Sequence, residues 1–222
     1  RVLSITPNGR ELDPAAVFDG ARIQLDGLET GNTAVIVADC SYMRTGEGLH
    51  RFIDPVDRET YLYTQFEVAD ARRVYACFEQ PSLKADWQLT VTAPSHWQVV
   101  SNSPTPEPIP VSEATATWEF EPTPRISTYI TAIVAGPYHV VRDEYVGPNG
   151  TYPLGVFCRS SLADYLDADE IFTLTKQTPH ASPDVPPLPR SASTPRPSPA
   201  RTVVGKPWCP QHRRCESCLT CR

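Results

Sequence analysis

A chain of 222 residues has room for one large domain or two small ones. Its net charge of −6 is unevenly spread: residues 1–177 hold 13 Lys/Arg against 24 Asp/Glu, and the remainder 7 against 2. An acidic body lacks the clustered Lys and Arg that phosphate contacts need, which excludes nucleic acid as a partner, and no apolar run approaches the ~18 residues of a membrane-spanning helix.

The chain opens on RVLSITPNGREL, with no initiator Met, no charged n-region and no apolar h-region, so it reads as an internal start without a signal peptide. The body reads as mostly β, because short Val, Ile, Thr and aromatic segments recur between Gly, Pro, Asn and Asp clusters. Strands are expected at Val2–Thr6, Arg22–Leu25, Ala34–Met43, Thr60–Phe66, Val74–Phe78, Trp87–Ala93 and Gln98–Ser101. Further strands are expected at Ala116–Phe120, Ser127–Val134, Tyr138–Val141 and Leu154–Cys158. Asp26-Gly27 and Asn149-Gly150 are turn pairs suited to positive φ. Trp87 to Thr92 alternates apolar and polar, as a half-buried antiparallel strand requires, whereas Thr128–Val134 is continuously apolar and reads as buried on both faces. A helix is expected over Leu162–Gln177, with Ser160 or Ser161 as its N-cap.

After Gln177 the character changes. The last 45 residues hold 10 prolines and almost no period-2 or period-3.6 pattern, too little apolar surface to offset the ordering of the chain, so 178–222 reads as a disordered tail. The body contains Cys40, Cys77 and Cys158 only, an odd and sparse set that gives no disulfide framework and favours a reducing, cytoplasmic setting. Cys77, between Tyr75 and Phe78, reads as a buried small residue; His50, His96 and His139 are isolated and read as structural or surface groups.

Four stretches stand out in order: GEGLHRFIDPVD (Gly46–Asp57), YTQFEVADARRVYACFEQPSLKA (Tyr63–Ala85), VVSNSP (Val99–Pro104) and PRISTYITAIVAGPY (Pro124–Tyr138). Together they resemble the N-terminal β domain of the aminopeptidase N-type zinc aminopeptidases, and the resemblance covers roughly residues 1–177. It implies a saddle-shaped, multi-stranded antiparallel β domain (1–160), a helix (161–177) leading toward a catalytic domain, and an activity that removes N-terminal residues from peptides. It further implies that Glu67, in Thr64-Gln65-Phe66-Glu67, holds the substrate's α-ammonium and that Gln65 contacts its first residue.

The residues themselves are consistent with that role. In a strand, Gln65 and Glu67 share one face while Thr64 and Phe66 take the other. An exopeptidase must recognise a charged amine, and a partly desolvated carboxylate does so through a charge-assisted bond. Arg72 and Arg73 follow at once; they read either as ligand contacts or, preferred here, as a brace for the turn after Glu67 through Asp70 or Glu79.

The family's chemistry needs zinc on His-Glu-x-x-His and a Gly-x-Met-Glu-Asn strand; neither motif occurs, and Met43 is the one methionine. The chain is therefore expected to contain no catalytic residue, to bind no zinc within 1–177, and to be inactive alone. Its partners would be a peptide N-terminus and the catalytic domain. The Pro/Arg-rich tail from Thr178 reads as the product of a frameshift. A rival reading takes Cys209, His212, Cys215, Cys218 and Cys221 as a small zinc module, although structural sites separate ligand pairs more widely. Two functional readings stay open: the substrate-anchoring domain of an aminopeptidase, or a stand-alone, non-catalytic β domain with a protein-binding role.

Overall fold

The computed structural model describes the backbone of residues 1–148, 150–181, 201–204 and 214–221, and side chains within 1–148 and 150–177. β1 (Val2–Pro7) pairs antiparallel with β2 (Asn32–Asp39), setting Ile5 opposite Ile36. Between them a single helical turn, α1 (Pro14–Val17), starts where the Asp13 carboxylate accepts the Ala15 N–H and a proline takes the first turn. β3 (Gly48–Ile53) and β4 (Thr60–Gln65) form the next antiparallel pair, with Leu49 opposite Thr64. β5 (Asp86–Pro94), β6 (Gln98–Ser101), β7 (Ile109–Pro110), β8 (Thr115–Glu119) and β9 (Ile133–Gly136) follow. The body closes with a long hairpin, β10 (Tyr138–Gly147) against β11 (Gly150–Arg159), and with α2 (Ala168–Ala181).

The strands make a four-stranded sheet in the order β3-β4-β9-β6, the two-stranded hairpin, and a seven-stranded sheet. In the last, β12 (Arg201–Val204) and β13 (Arg214–Cys221) lie between β2 and β5, giving β1-β2-β13-β12-β5-β8-β7. Among the described strands each pair is antiparallel except β12 with β5. The fold is mostly β, as the sequence predicts.

Period-2 patterning accounts for the main core. On β5, Trp87, Leu89 and Val91 are buried while Gln88 and Thr90 are half-buried, and Trp118 and Phe120 meet them from the β8 side. Leu62, Phe66, Tyr75, Val99 and Ala135 complete the same cluster from the four-stranded sheet and its loops. A smaller cluster around Ile5, Ala34 and Ile36 lies under α1.

Several expected elements differ. Val74–Phe78 is not a strand: the Val74 and Tyr75 N–H groups both donate to Ala71 O, winding the chain on from the 3-10 turn Ala71–Arg73. Arg22–Leu25 holds one bridge, Phe18 with Ile23. Ser127–Val134 splits into a 3-10 turn, Thr128–Ile130, and β9, and Tyr129 and Ile130 are exposed, so that segment is not buried on both faces. The expected helix begins as a 3-10 turn, Ser160–Tyr165, and α2 starts after Asp167, whose carboxylate accepts the Glu170 N–H. Ser160 and Ser161 are engaged elsewhere and cap nothing. The Asn149 turn position and most of the tail expected to be disordered, 178–222, lie outside the described residues, as do Cys209 and His212 of the rival zinc cluster. What is described there is the last turn of α2 and the backbones of β12 and β13, which carries Cys215, Cys218 and Cys221.

One buried charge fixes the root of the hairpin. Asp54 is fully buried, and its Oδ2 accepts from Arg159 and from the Ser161 hydroxyl, each at 2.6 Å. The Val56 N–H donates to Oδ1 at 2.8 Å, so the carboxylate is well supplied with donors. The Arg159 guanidinium also stacks over Phe52, 4.7 Å from its centroid.

Candidate functional site

The end of β4 builds the site. Gln65 and Glu67 are exposed, Thr64 is half-buried and Phe66 is fully buried, so the chain leaves the strand with alternate side chains on opposite sides. Phe66 is held in the core by an edge-on contact with Tyr75 (centroids 5.6 Å), which in turn packs on Trp87 (5.1 Å). On the other side of Phe66, the Ile133 N–H donates to Thr64 Oγ1 at 2.9 Å, carrying the contact between β4 and β9 past the paired Tyr63 and Val134.

Glu67 is the first residue of a tight turn, 67–70, which closes through a long Asp70 N–H bond to Phe66 O (3.4 Å). Inside it Ala69 takes φ +103°, a region costly for any residue with a Cβ. The turn is clamped on its far side. Arg73 Nε donates to Asp70 Oδ1 at 2.5 Å, and its guanidinium reaches Glu47 at 3.5 Å. Gly48, at φ +60°, allows Arg73 to lie close: a Cβ there would meet Arg73 Cβ at 3.2 Å. Of the two arginines, Arg73 is thus a brace through Asp70, while Arg72 is held by its backbone N–H, which donates to Glu79 Oε2 at 2.5 Å.

A second loop is pinned beside this one. The Tyr75 hydroxyl and Thr131 Oγ1 are 2.5 Å apart in the interior, and Thr131 donates to Thr128 O at 2.7 Å. Asn102, from the VVSNSP stretch, donates to Ile130 O (3.0 Å) and accepts from Ala132 N–H (2.7 Å). Among the described residues neither Gln65 nor Glu67 has a hydrogen-bond or ion-pair partner for its side chain, while Glu47, Asp70, Arg73 and Glu79 around them all do. The two-residue spacing predicts that Gln65 and Glu67 share a face, but the carboxylate expected to be partly desolvated is exposed, because Glu67 lies in the turn beyond the end of β4. The bond that Glu79 accepts from a backbone N–H has no sequence signature.

Among the described side chains, Cys40, Cys77 and Cys158 are free thiols. Burial, and then the nearby Glu79 carboxylate, push the Cys77 thiol up to about 12, so it is inert as a nucleophile. His50 does not point to chemistry either: its Nδ1 accepts the Gly46 N–H, and its ring packs on Tyr63 at 4.9 Å. Among the described residues no three His, Cys, Asp or Glu side chains converge where they could hold a metal ion. An apolar cavity of about 250 Å³ opens between the two cores beside Ile23, Ile36, Val74 and Ala76, and Glu67 does not line it.

Comparison with known proteins bears on this geometry. Residues 44–130 match the Peptidase M1 N-terminal domain family, a span that contains β3, β4 and the whole Glu67 turn. Over 177 residues, 79% of this chain, the sequence is 59% identical to an aminopeptidase N of Streptomyces lividans. It is 36% identical over 156 residues, 68% of this chain, to an aminopeptidase N of Acetobacter pasteurianus. A rice aminopeptidase M1-A (Oryza sativa subsp. japonica) is 29% identical over 161 residues. The matched spans make up 20%, 39% and 18% of those three proteins, so the chain corresponds to a minor part of each.

Proposed function

This chain carries the N-terminal domain of an aminopeptidase N-type enzyme, and from that premise we propose that Glu67 anchors the α-ammonium of a peptide while Gln65 contacts its first residue. The observation that carries the reading is an unpartnered carboxylate on a clamped turn, among acidic neighbours that are all engaged. Such a group is preorganised for a cation it does not yet hold. A charge-assisted N–H···O bond would then select a free amino terminus, since an acylated or internal peptide nitrogen carries no positive charge. The reaction so served is removal of N-terminal amino acids from peptides, with the catalytic domain lying beyond these 222 residues.

Zinc chemistry does not fit the residues present. The sequence has no His-Glu-x-x-His, and no ligand cluster forms among the described side chains, so this reading puts the zinc of the reaction on the catalytic domain. On this reading the 222 residues alone hydrolyse no peptide. Sustained zinc-dependent hydrolysis of an aminoacyl p-nitroanilide by the purified 222-residue chain would contradict this. The sparse free thiols support a cytoplasmic setting, which cell fractionation would check.

The anchoring role is tested by grafting residues 1–177 in place of the matching segment of the Streptomyces lividans enzyme. With Glu67→Gln the graft should lose about 10²-fold or more in kcat/KM, the cost of leaving a desolvated ammonium without its counter-charge. Retention within threefold would sink the assignment.

A further inference from the structure

Three segments meet on one carboxylate outside the predicted site. Glu79 is half-buried on the stretch between the Ala71–Arg73 turn and β5. Its Oε2 accepts the Arg72 backbone N–H at 2.5 Å and the Cys77 thiol at 3.8 Å. Its Oε1 accepts the Thr128 hydroxyl at 3.0 Å. Arg72 belongs to the 3-10 turn that continues directly from the turn bearing Glu67, and Thr128, buried, heads the loop that exposes Tyr129 and Ile130.

We propose that Glu79 is a positioning residue for substrate recognition: its carboxylate ties the Glu67 turn to the 128–131 loop and so fixes where the anchor stands. The proposal rests on the reading of Glu67 as the anchor. The physical case has three parts. The turn contains a strained residue, Ala69, and strain persists only where the surroundings over-determine the conformation. The other side-chain restraint there is the Arg73 pairing with Asp70 and Glu47; through Asp70 it grips the turn only within its own segment, and the guanidinium and Glu47 are exposed to solvent screening. Glu79 offers a carboxylate acceptor to a backbone N–H, a charge-assisted bond, and its second oxygen takes the Thr128 hydroxyl in a part-buried bond, so one side chain joins two segments.

The test begins with the full 222-residue chain and three variants, Glu79→Ala, Glu79→Gln and Thr128→Val. Amide hydrogen exchange is read at Arg72 and across 67–73, with β5 and β8 amides as the internal reference. Glu79→Ala should speed exchange at Arg72 and in the turn by more than about tenfold while the reference amides stay within about twofold. Glu79→Gln keeps the shape and one carbonyl acceptor, so it should restore much of the protection; Thr128→Val should fall between. Cys77 alkylation should rise with loss of the Glu79 charge, with Cys158 unchanged as control.

The functional readout uses the graft. There Glu79→Ala should raise KM about tenfold or more and leave kcat within about threefold, as expected when binding is lost without the chemical step. Unchanged exchange in Glu79→Ala overturns the proposal outright. Faster exchange with an unchanged KM, while Glu67→Gln still cripples the same graft, also overturns it and leaves the anchor reading intact. If Glu67→Gln has no effect, the anchor reading fails, and the exchange data alone decide whether Glu79 clamps the turn. Should Glu79→Ala not fold, Thr128→Val carries the same comparison.

Discussion

Ala69→Gly gives the sharpest check on the account of the Glu67 turn. Ala69 sits at φ +103°, where a Cβ is disfavoured, and such conformations cost about 1–2 kcal/mol for residues other than glycine. Glycine removes that cost but gains freedom in the unfolded chain, worth about 0.5–1 kcal/mol against folding. The balance favours the variant by about 0.5–1 kcal/mol. For a domain of this size that is a rise in Tm of about 1–4 °C. The assay is thermal unfolding followed by near-UV circular dichroism, with a ¹H–¹⁵N spectrum to show that the fold is kept. A fall in Tm, with the spectrum otherwise preserved, would refute the claim that the turn stores strain. In the graft the same variant should raise KM, because the freed turn holds Glu67 less firmly.

Substitutions at two further positions probe the core beneath the site and the root of the hairpin. Phe66→Ala removes a ring that is fully buried against Tyr75 and should cost about 3–5 kcal/mol in urea unfolding, against less than about 1.5 kcal/mol for Phe66→Leu. Equal effects of the two would show that the ring fills no specific space. For Asp54, the Ser161 hydroxyl first, then the Val56 N–H and Arg159, hold the carboxyl below its ordinary value. A carboxyl depressed in the folded state contributes stability that is present above its unfolded value, near 3.8, and lost as pH falls through the folded one. The urea midpoint of the native protein should therefore drop in acid; Asp54→Asn should start lower at pH 7 and drop less. A parallel pH dependence in both proteins would remove Asp54 from the explanation.

How much of this was legible in the sequence depends on what each residue bonds to. The alternation of Trp87, Leu89 and Val91 placed β5 well because burial on one face is a local, period-2 property. Gln65 and Glu67 emerged together for the same reason, and the Asp70 brace for Arg73 was readable from a spacing of three. Val74–Phe78 failed because apolar, β-prone side chains say nothing of backbone N–H groups that turn back to Ala71. The cap on α2 failed because Ser160 and Ser161 spend their hydroxyls on distant partners, Pro137 O and the buried Asp54 carboxylate, leaving Asp167 to do the capping. Glu79 was named only as a possible partner of an arginine side chain. It bonds the arginine's backbone instead, which no residue type announces.

A last consequence follows from the exposure of Glu67. Two unit charges 4 Å apart in water attract by only about 1 kcal/mol, and exposed pairs measure about 0.2–1 kcal/mol once ordering is counted. Among the described residues the acidic groups around Glu67 are engaged with other partners, and Gln65 beside it is exposed like Glu67 itself, so neither dehydrates a bound ammonium. Anchoring therefore needs a second surface that closes over the pair and lowers the local dielectric. The isolated 222-residue chain should bind L-leucinamide with a Kd above about 100 mM, read from the Glu67 amide shift in an NMR titration, and no better than N-acetyl-leucinamide within about threefold. Low-millimolar binding that N-acetylation abolishes would refute this, and would mean that the turn makes its own desolvated pocket. Weak binding by the chain together with tight, Glu67-dependent recognition in the graft would instead divide the work as the geometry does, with orientation supplied here and water exclusion by the catalytic domain.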